Sequence, residues 1–242
     1  MDYTHLYSTR IQKTFDEDNA DILDIFRAGF ANNPKLPIHL VNYYKGLPIT
    51  YKAKIAGIDK SSIDLDVHPK QAVAIAAEHY TFIKSNLFKH DILARTQYIN
   101  IKRKAVLLNK FCYVEILAET RKHLRLELDQ PLNAVFNSPS GVIRGKITEL
   151  SMGGALLESN EAYYDLIDNE ANLIIMLPDF EQNTNYNVRV PARLISIQDD
   201  AKPVIYKFTI LPDRITDRFM AKFMYHQQVQ IVHKLQDDSE LG

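Results

Sequence analysis

The sequence predicts a mainly β protein made of two small antiparallel β-barrel-like domains, with a helix near the N-terminus and an amphipathic helix at the C-terminus. Short runs rich in β-branched and aromatic residues, bounded by Gly, Pro, Asn and Asp, fill most of the chain. Apolar residues recur at helical spacing near both ends. The strand-like runs fall into two sets on either side of residue 119, which predicts domains 1–118 and 119–242.

The composition is typical of a soluble globular protein. The 242 residues are 46% hydrophobic and 24% charged, and a chain of this length buries a sizeable core. The formal charge of −1 offers no global field to attract nucleic acid or an anionic membrane, so anion binding must be local. The single cysteine excludes an internal disulfide, and neither a signal-peptide-like segment nor a run near the roughly 20 apolar residues of a membrane span occurs. We therefore expect a soluble, cytoplasmic protein.

The first domain is predicted to begin with a helix and to continue as strands. The apolar residues of NADILDIFRAGF repeat at intervals of three and four, which predicts a helix that Asp18 or Asn19 would cap. Strands are predicted for LPIHLVNYY, PITYKAKIAGI, IDLDV, LARTQYINIKRKAVLLN and FCYVEIL. QAVAIAAEHYTFIK is ambiguous, because its alanines suit a helix and its flanks suit strands.

The second domain is predicted to be a small barrel or sandwich. Its first two strand-like runs flank the turn cluster NSPSG, and further strands are predicted for ANLIIMLPDF, YNVRVPARLISIQ and PVIYKFTIL. Several short strands at close spacing, without intervening helices, are typical of such folds.

The C-terminal helix is predicted from DRITDRFMAKFMYHQQVQIVHKL, with Asp213 as its N-cap and QDDSELG as a polar tail. Its apolar residues, including Phe219, Met220, Phe223 and Met224, cover more than one narrow stripe. Both packing on its own barrel and association with another subunit are therefore open.

Signals of enzymatic chemistry are poor. The eight histidines form neither a His-Glu-x-x-His pair nor a Cys/His cluster with zinc spacing. Cys112 lies in the apolar run FCYVEI, where a buried, inert thiol is expected. No Gly-rich phosphate loop precedes a helix. We expect no catalytic residues, no metal site and no cofactor.

The stretch ETRKHLRLEL places Arg121 and Arg125 four residues apart, with Lys122 between them. Two other arginine pairs in the chain share this spacing, so the spacing alone is weakly specific. Between residues 101 and 125, lysines and arginines outnumber glutamates seven to two, which by itself indicates a solvated basic link or a local anion site. What distinguishes the pair is ELSMGG, residues 149–154, one hairpin later.

These two stretches together resemble the PilZ family of bacterial cyclic di-GMP receptors. The family pattern is Arg-x-x-x-Arg, followed one hairpin later by Asp/Asn-x-Ser-x-x-Gly, on a small β-barrel that ends in a helix. Arg121 and Arg125 match the first element, and Ser151 and Gly154 match the second. Glu149 stands where the family usually has Asp or Asn. The β-rich first domain is similar in layout to that of flagellar-brake (YcgR-type) proteins, so the resemblance covers nearly the whole chain.

The resemblance implies a receptor that holds cyclic di-GMP, its regulatory ligand, between the arginine link and the barrel. It implies that binding changes the geometry of the two domains and regulates motility or surface behaviour, through a protein partner in a flagellar, pilus or other surface machine. No DNA partner is expected. The ligand-binding residues would be Arg121, Arg125, Glu149, Ser151, Gly153 and Gly154, with Lys122 as a further candidate.

The chemistry of these residue types suits the ligand. The planar fork of arginine pairs bidentately with phosphate or with guanine O6 and N7, and it can stack on a base. The hydroxyl of Ser151 can donate to phosphate, and Gly153 and Gly154 permit close backbone approach. Glu149 keeps the acceptor chemistry of Asp but adds a methylene.

Two other functions remain open. A degenerate PilZ adaptor would bind a protein partner without nucleotide, and Glu149 is the sequence feature that favours it. An RNA-binding barrel would use the basic link, although no run of basic residues interleaved with aromatic residues supports it.

Overall fold

The computed structural model describes residues 6–180, 182 and 184–241. The chain divides into two compact units: the first comprises Met1–Arg121 and Val232–Gly242, and the second Lys122–Ile231. The last turns of the C-terminal helix thus belong to the first unit. The domain boundary inferred after residue 118 stays a prediction.

The first unit is an antiparallel sheet that closes on itself. Its strands are β1 (Tyr7–Thr9), β2 (Ile38–Tyr44), β3 (Leu47–Ile58), β4 (Ser62–Asp66), β5 (Tyr80–Lys84), β6 (Asp91–Asn100) and β7 (Ala105–Ile116). Their order is β1-β7-β4-β3-β2-β5-β6, and β6 also pairs with β7, which closes a ring. Ile63 and Leu65 point into the core and are at most 1% exposed, while Asp64 between them faces outward, as the alternation in IDLDV predicted.

The predicted N-terminal helix is α1 (Phe15–Asn32), but both expected caps are wrong. The cap is Thr14, whose side chain accepts a hydrogen bond from the third residue of the helix. Asp18 lies inside the helix and is buried, because its carboxylate accepts hydrogen bonds from two backbone N–H groups of the preceding loop. Asn19 instead accepts a hydrogen bond from the backbone N–H of Phe111 on β7.

The ambiguous segment QAVAIAAEHYTFIK contains both element types. Its alanine-rich half forms α2 (Pro69–Glu78), and its second half forms β5. His79 separates them in a left-handed conformation, with φ of 63°, which ends the helix.

The second unit contains a closed six-stranded antiparallel barrel. Its strands are β8 (Leu126–Ser138), β9 (Gly141–Ser151), β10 (Gly154–Ser159), β11 (Glu170–Asp179), β12 (Thr184–Gln198) and β13 (Val204–Ile210). They pair in the order β10-β13-β12-β11-β8-β9, and β9 pairs with β10. Phe136 and Phe208 fill the interior, with ring centroids 4.9 Å apart. Two antiparallel sheets with a helix near each end confirm the predicted fold class.

The C-terminal helix is α3 (Arg214–Leu241). The predicted cap is confirmed: the Asp213 carboxylate accepts from the backbone N–H and the hydroxyl of Thr216, at 3.3 and 2.9 Å. The hydrogen bond from the Thr216 hydroxyl, followed by those from the N–H groups of Ile215 and Thr216, lowers the pKa of Asp213. The prediction that QDDSELG is a polar tail beyond the helix is wrong, because its residues up to Leu241 continue α3. Gly242 lies outside the described residues.

The wide apolar surface expected on α3 is divided between buried and exposed positions. Met220, Phe223 and Met224 are buried, whereas Phe219 is 43% and Tyr225 70% exposed. Among the described residues, no helix is long and apolar enough to cross a membrane.

Candidate functional site

The turn between β9 and β10 contains the second sequence motif. Ser151 pairs with Gly154, and Met152 and Gly153 form the turn between them. The Ser151 side chain is buried: its Oγ donates to the carbonyl oxygen of Gly154 at 3.1 Å and accepts from the N–H of Gly153 at 3.3 Å. Ser151 therefore closes the turn, and its donation to a phosphate stays a prediction.

The two glycines of this turn are surrounded closely. A Cβ on Gly154 would lie 2.8 Å from the backbone oxygen of Phe208 on β13. A Cβ on Gly153 would lie 2.7 Å from Cδ2 of His123. Neither glycine has a positive φ, so the lack of space, rather than the backbone conformation, favours glycine at both positions.

The second half of the arginine motif runs alongside this turn. In the β8–β9 pairing, Leu126 lies opposite Leu150 and Glu127 opposite Glu149. Continued by one residue, this register places Arg125 opposite Ser151. Continued further, it places His123 opposite Gly153, in agreement with the close approach of the His123 ring. Continuation of this pairing thus brings Arg125 and His123 beside residues 151–153 within the second unit.

Glu149 is half-buried on β9 between two neighbours, Glu127 on β8 and Leu156 on β10. Like charges directly opposite one another on paired strands repel. The site therefore contains two carboxylates where the sequence motif indicated one. Glu127 and His123 were both missed from the sequence, since only the strand register reveals that they adjoin ELSMGG.

Arg121 stands at the end of the first unit, after a single 3₁₀ turn (Leu117–Thr120). Glu119 of that turn pairs with Lys84 at 2.7 Å, which anchors the turn to β5. Burial raises the pKa of Tyr43, and the charge of Glu119 raises it further. The charge of Arg121 lowers this pKa, so the guanidinium lies within electrostatic reach of Tyr43. Lys122 begins the second unit and is exposed. The participation of Arg121 and Lys122 in one site with Arg125 stays a prediction.

The basic surplus counted along residues 101–125 does not form one surface. Lys102, Arg103 and Lys104 lie in the turn before β7, whereas Arg121 follows the other end of that 12-residue strand. At about 3.3 Å per residue, β7 separates the two groups by about 36 Å. The expected contribution of residues 102–104 to the charge of the arginine site is therefore wrong.

Cys112 has the properties expected of an inert thiol. It is 5% exposed, and burial raises its pKa to about 11, so the thiol is protonated at neutral pH. Over residues 6–180, 182 and 184–241, no group of three or more His, Cys, Asp or Glu side chains is arranged to hold a metal ion.

No protein-family model matches the chain, and no curated protein sequence matches it. Several solved structures are similar to it. The complex of YcgR with c-di-GMP from Escherichia coli is 14% identical, with a TM-score of 0.42, over 90% of this chain and 92% of that chain. The inhibitor of motility MotI (DgrA) of Bacillus subtilis is 13% identical, with a TM-score of 0.42, over 82% of this chain and 98% of that chain. The MrkH–c-di-GMP complex of K. pneumonia is 13% identical, with a TM-score of 0.42, over 94% of this chain and 99% of that chain.

Over most of its length, the chain is therefore similar to solved structures of YcgR, MotI and MrkH.

Proposed function

We propose that this chain is a cyclic di-GMP receptor whose site combines residues 121–125 with residues 149–154. One observation carries the proposal: the β8–β9 register, continued by one residue beyond Leu126 and Leu150, sets Arg125 beside Ser151, and the ring of His123 lies next to Gly153. Arg125, from the first half of a motif that resembles the PilZ pattern, is thus a neighbour of Ser151, from the second half, within the second unit.

In this proposal Arg125 is the principal ligand-binding residue of the second unit. It is half-buried, which keeps part of the guanidinium accessible while reducing its exposure to solvent. A guanidinium in this setting can pair bidentately with phosphate oxygens or with guanine O6 and N7. The exposed ring of His123, next to Gly153, adds a planar surface on which a guanine can stack.

Arg121 and Lys122 complete the proposed site from the link. We propose that cyclic di-GMP orders this link and so changes the geometry between the two domains, which converts ligand concentration into a population shift. By resemblance to the flagellar-brake proteins, the output is regulation of motility or surface behaviour through a protein partner in the cytoplasm.

The test is a calorimetric titration of the full chain with cyclic di-GMP. We expect saturable binding at micromolar ligand, and much weaker binding of cyclic di-AMP, because adenine lacks the O6 acceptor that arginine recognises on guanine. If high micromolar cyclic di-GMP produced no heat and no change in melting temperature, the receptor function would be rejected.

Replacing Glu149 with aspartate is expected to tighten cyclic di-GMP binding. If the extra methylene of Glu149 displaces the carboxylate, restoring one charge-assisted hydrogen bond contributes about 1.5–3 kcal/mol, or about one to two decades in Kd. Titration of the variant against the wild-type chain measures this difference.

Glu158→Asp is the matched control, because Glu158 is likewise half-buried in the barrel, on β10 opposite Lys146, and lies outside both motif stretches. It should leave the affinity close to that of the wild type. An affinity that stayed constant or fell in Glu149→Asp would show that the glutamate is already well placed in the site.

A nucleotide-independent adaptor is the second candidate function. The facing carboxylates of Glu127 and Glu149 favour it, because they add negative charge beside the site for a dianionic ligand. The internal hydrogen bonds of Ser151 favour it as well, because they already satisfy that hydroxyl. The absence of heat in the titration, with an intact fold, is the outcome that would select this function.

A further inference from the structure

A cluster of positive charge lies at the turn between β6 and β7, at the opposite end of β7 from the arginine link. Lys102, Arg103 and Lys104 follow one another in this four-residue turn, and all three are exposed. The turn is held by two hydrogen bonds: the N–H of Arg103 donates to Oδ1 of Asn100 at 2.9 Å, and the N–H of Lys104 donates to the carbonyl of Ile101 at 3.0 Å. The backbone therefore presents three adjacent cations from a defined structure. We call residues 101–104 the basic tip.

The backbone at Lys104 is unfavourable for a lysine. Its φ is 56°, in the left-handed region that glycine and asparagine adopt most easily. Glycine at this position would relieve the strain and would also remove the charge.

One further cation, Lys70, lies beside the basic tip. The carbonyl of Lys104 accepts from the N–H of Val67 at 2.8 Å, which holds the tip against the segment that leads into α2. In that segment Nδ1 of His68 accepts from the N–H of Lys70 at 3.2 Å. Burial, then Lys70, then Lys104 lower the pKa of His68, so both lysines lie within electrostatic reach of this ring.

Few carboxylates offset this charge. Asp66 lies closest in sequence and register, opposite Ala105 at the base of the tip. Within the part of the chain that the structure describes, no ion pair involves Lys70, Lys102, Arg103 or Lys104. These cations are therefore available to a partner.

An aromatic side chain accompanies the tip. Tyr98 is 57% exposed, and its hydroxyl accepts from Nδ2 of Asn100 at 3.3 Å. Because Asn100 also accepts from Arg103, its side chain connects Tyr98 to the tip. Exposed lysine and arginine beside an exposed tyrosine are typical of contacts with the headgroup region of a bilayer.

We propose that the basic tip binds the surface of an anionic phospholipid bilayer. A short turn at the end of a hairpin is convex and contacts a plane with several cations at once, whereas single-stranded nucleic acid requires a groove that follows its backbone. The rings of Tyr51 and His68 do not form an open platform either, because they stack on each other with centroids 3.8 Å apart. The attraction would act only near the membrane, because it falls off within a Debye length of about 8 Å at physiological salt.

The test is cosedimentation of the full chain with vesicles of mixed phosphatidylglycerol and phosphatidylcholine, and with vesicles of phosphatidylcholine alone. We expect binding to the anionic vesicles only, and its loss at high salt. The double variant Lys102→Glu/Arg103→Glu should bind at least about tenfold less, since each charge near an anionic surface contributes to the attraction. The control Lys35→Glu/Lys60→Glu changes the net charge equally at exposed positions outside the tip and should bind like the wild type.

Lys104→Gly separates the charge of this residue from its structural role. Glycine relieves the left-handed φ, so the melting temperature should rise while vesicle binding falls. The proposal would be overturned by unchanged binding in Lys104→Gly or in the double variant, or by an equal loss in the control. Tighter binding of a single-stranded oligothymidylate than of anionic vesicles at the same salt would overturn it in favour of a nucleic acid.

Discussion

Replacing Arg125 with alanine is expected to weaken cyclic di-GMP binding by about one to two decades. The guanidinium is the cation of the motif that the strand register places beside ELSMGG, and each charge-assisted hydrogen bond that it makes to phosphate or guanine is worth about 1.5–3 kcal/mol. Arg121→Ala should have a similar effect if the link closes over the ligand. Because the two arginines would contact different parts of the ligand, the double variant should lose about two to four decades. Calorimetric titration of all three variants measures these losses.

Arg189→Ala is the matched control for this series. Arg189 is exposed on β12 and belongs to another pair of arginines with the same spacing. Its removal should leave affinity unchanged. Binding that persisted in Arg125→Ala would show that the site lies elsewhere. A loss in Arg125→Ala combined with wild-type affinity in Arg121→Ala would confine the site to the second unit and leave the link without a role in binding.

Replacing Gly154 with alanine is expected to destabilise the second unit by about 1–3 kcal/mol, the usual cost of overpacking. The new methyl group would lie 2.8 Å from the backbone oxygen of Phe208, and a backbone atom in a paired strand cannot move aside alone. Gly154 itself pairs with Thr209 on β13, so relief of the clash would disturb the pairing that closes the barrel. Urea unfolding of the variant and the wild type provides the measurement.

Two other glycines provide controls for this prediction. At Gly153 the added methyl group would meet a side-chain atom of the exposed His123, which can rotate away, so stability should change little while the ring is displaced. At Gly57 nothing lies within 4 Å of the added methyl group, and stability should be nearly unaffected. Equal destabilisation in all three variants would mean that the loss of glycine, rather than contact with Phe208, is the cause.

The fold class was predictable because strand and helix periods are local properties. Alternation of apolar and polar residues in IDLDV follows from a sheet with one buried face, and the same alternation is present in the structure. The cap at Asp213 was also predictable, because an N-cap acts within its own helical turn. The cap of α1 was not, because Asp18 and Asn19 are engaged by backbone groups outside the helix.

By itself, the sequence determined the fold class, the helix near each end and the two motifs that carry the functional proposal. Only the tertiary structure decided which residues lie beside one another: that His123 adjoins Gly153, that Glu149 faces Glu127, and that residues 102–104 lie far from the arginine link. The physical reason is that strand register and barrel closure depend on many packing contacts between distant segments. A count of charges along the chain contains no information about those contacts.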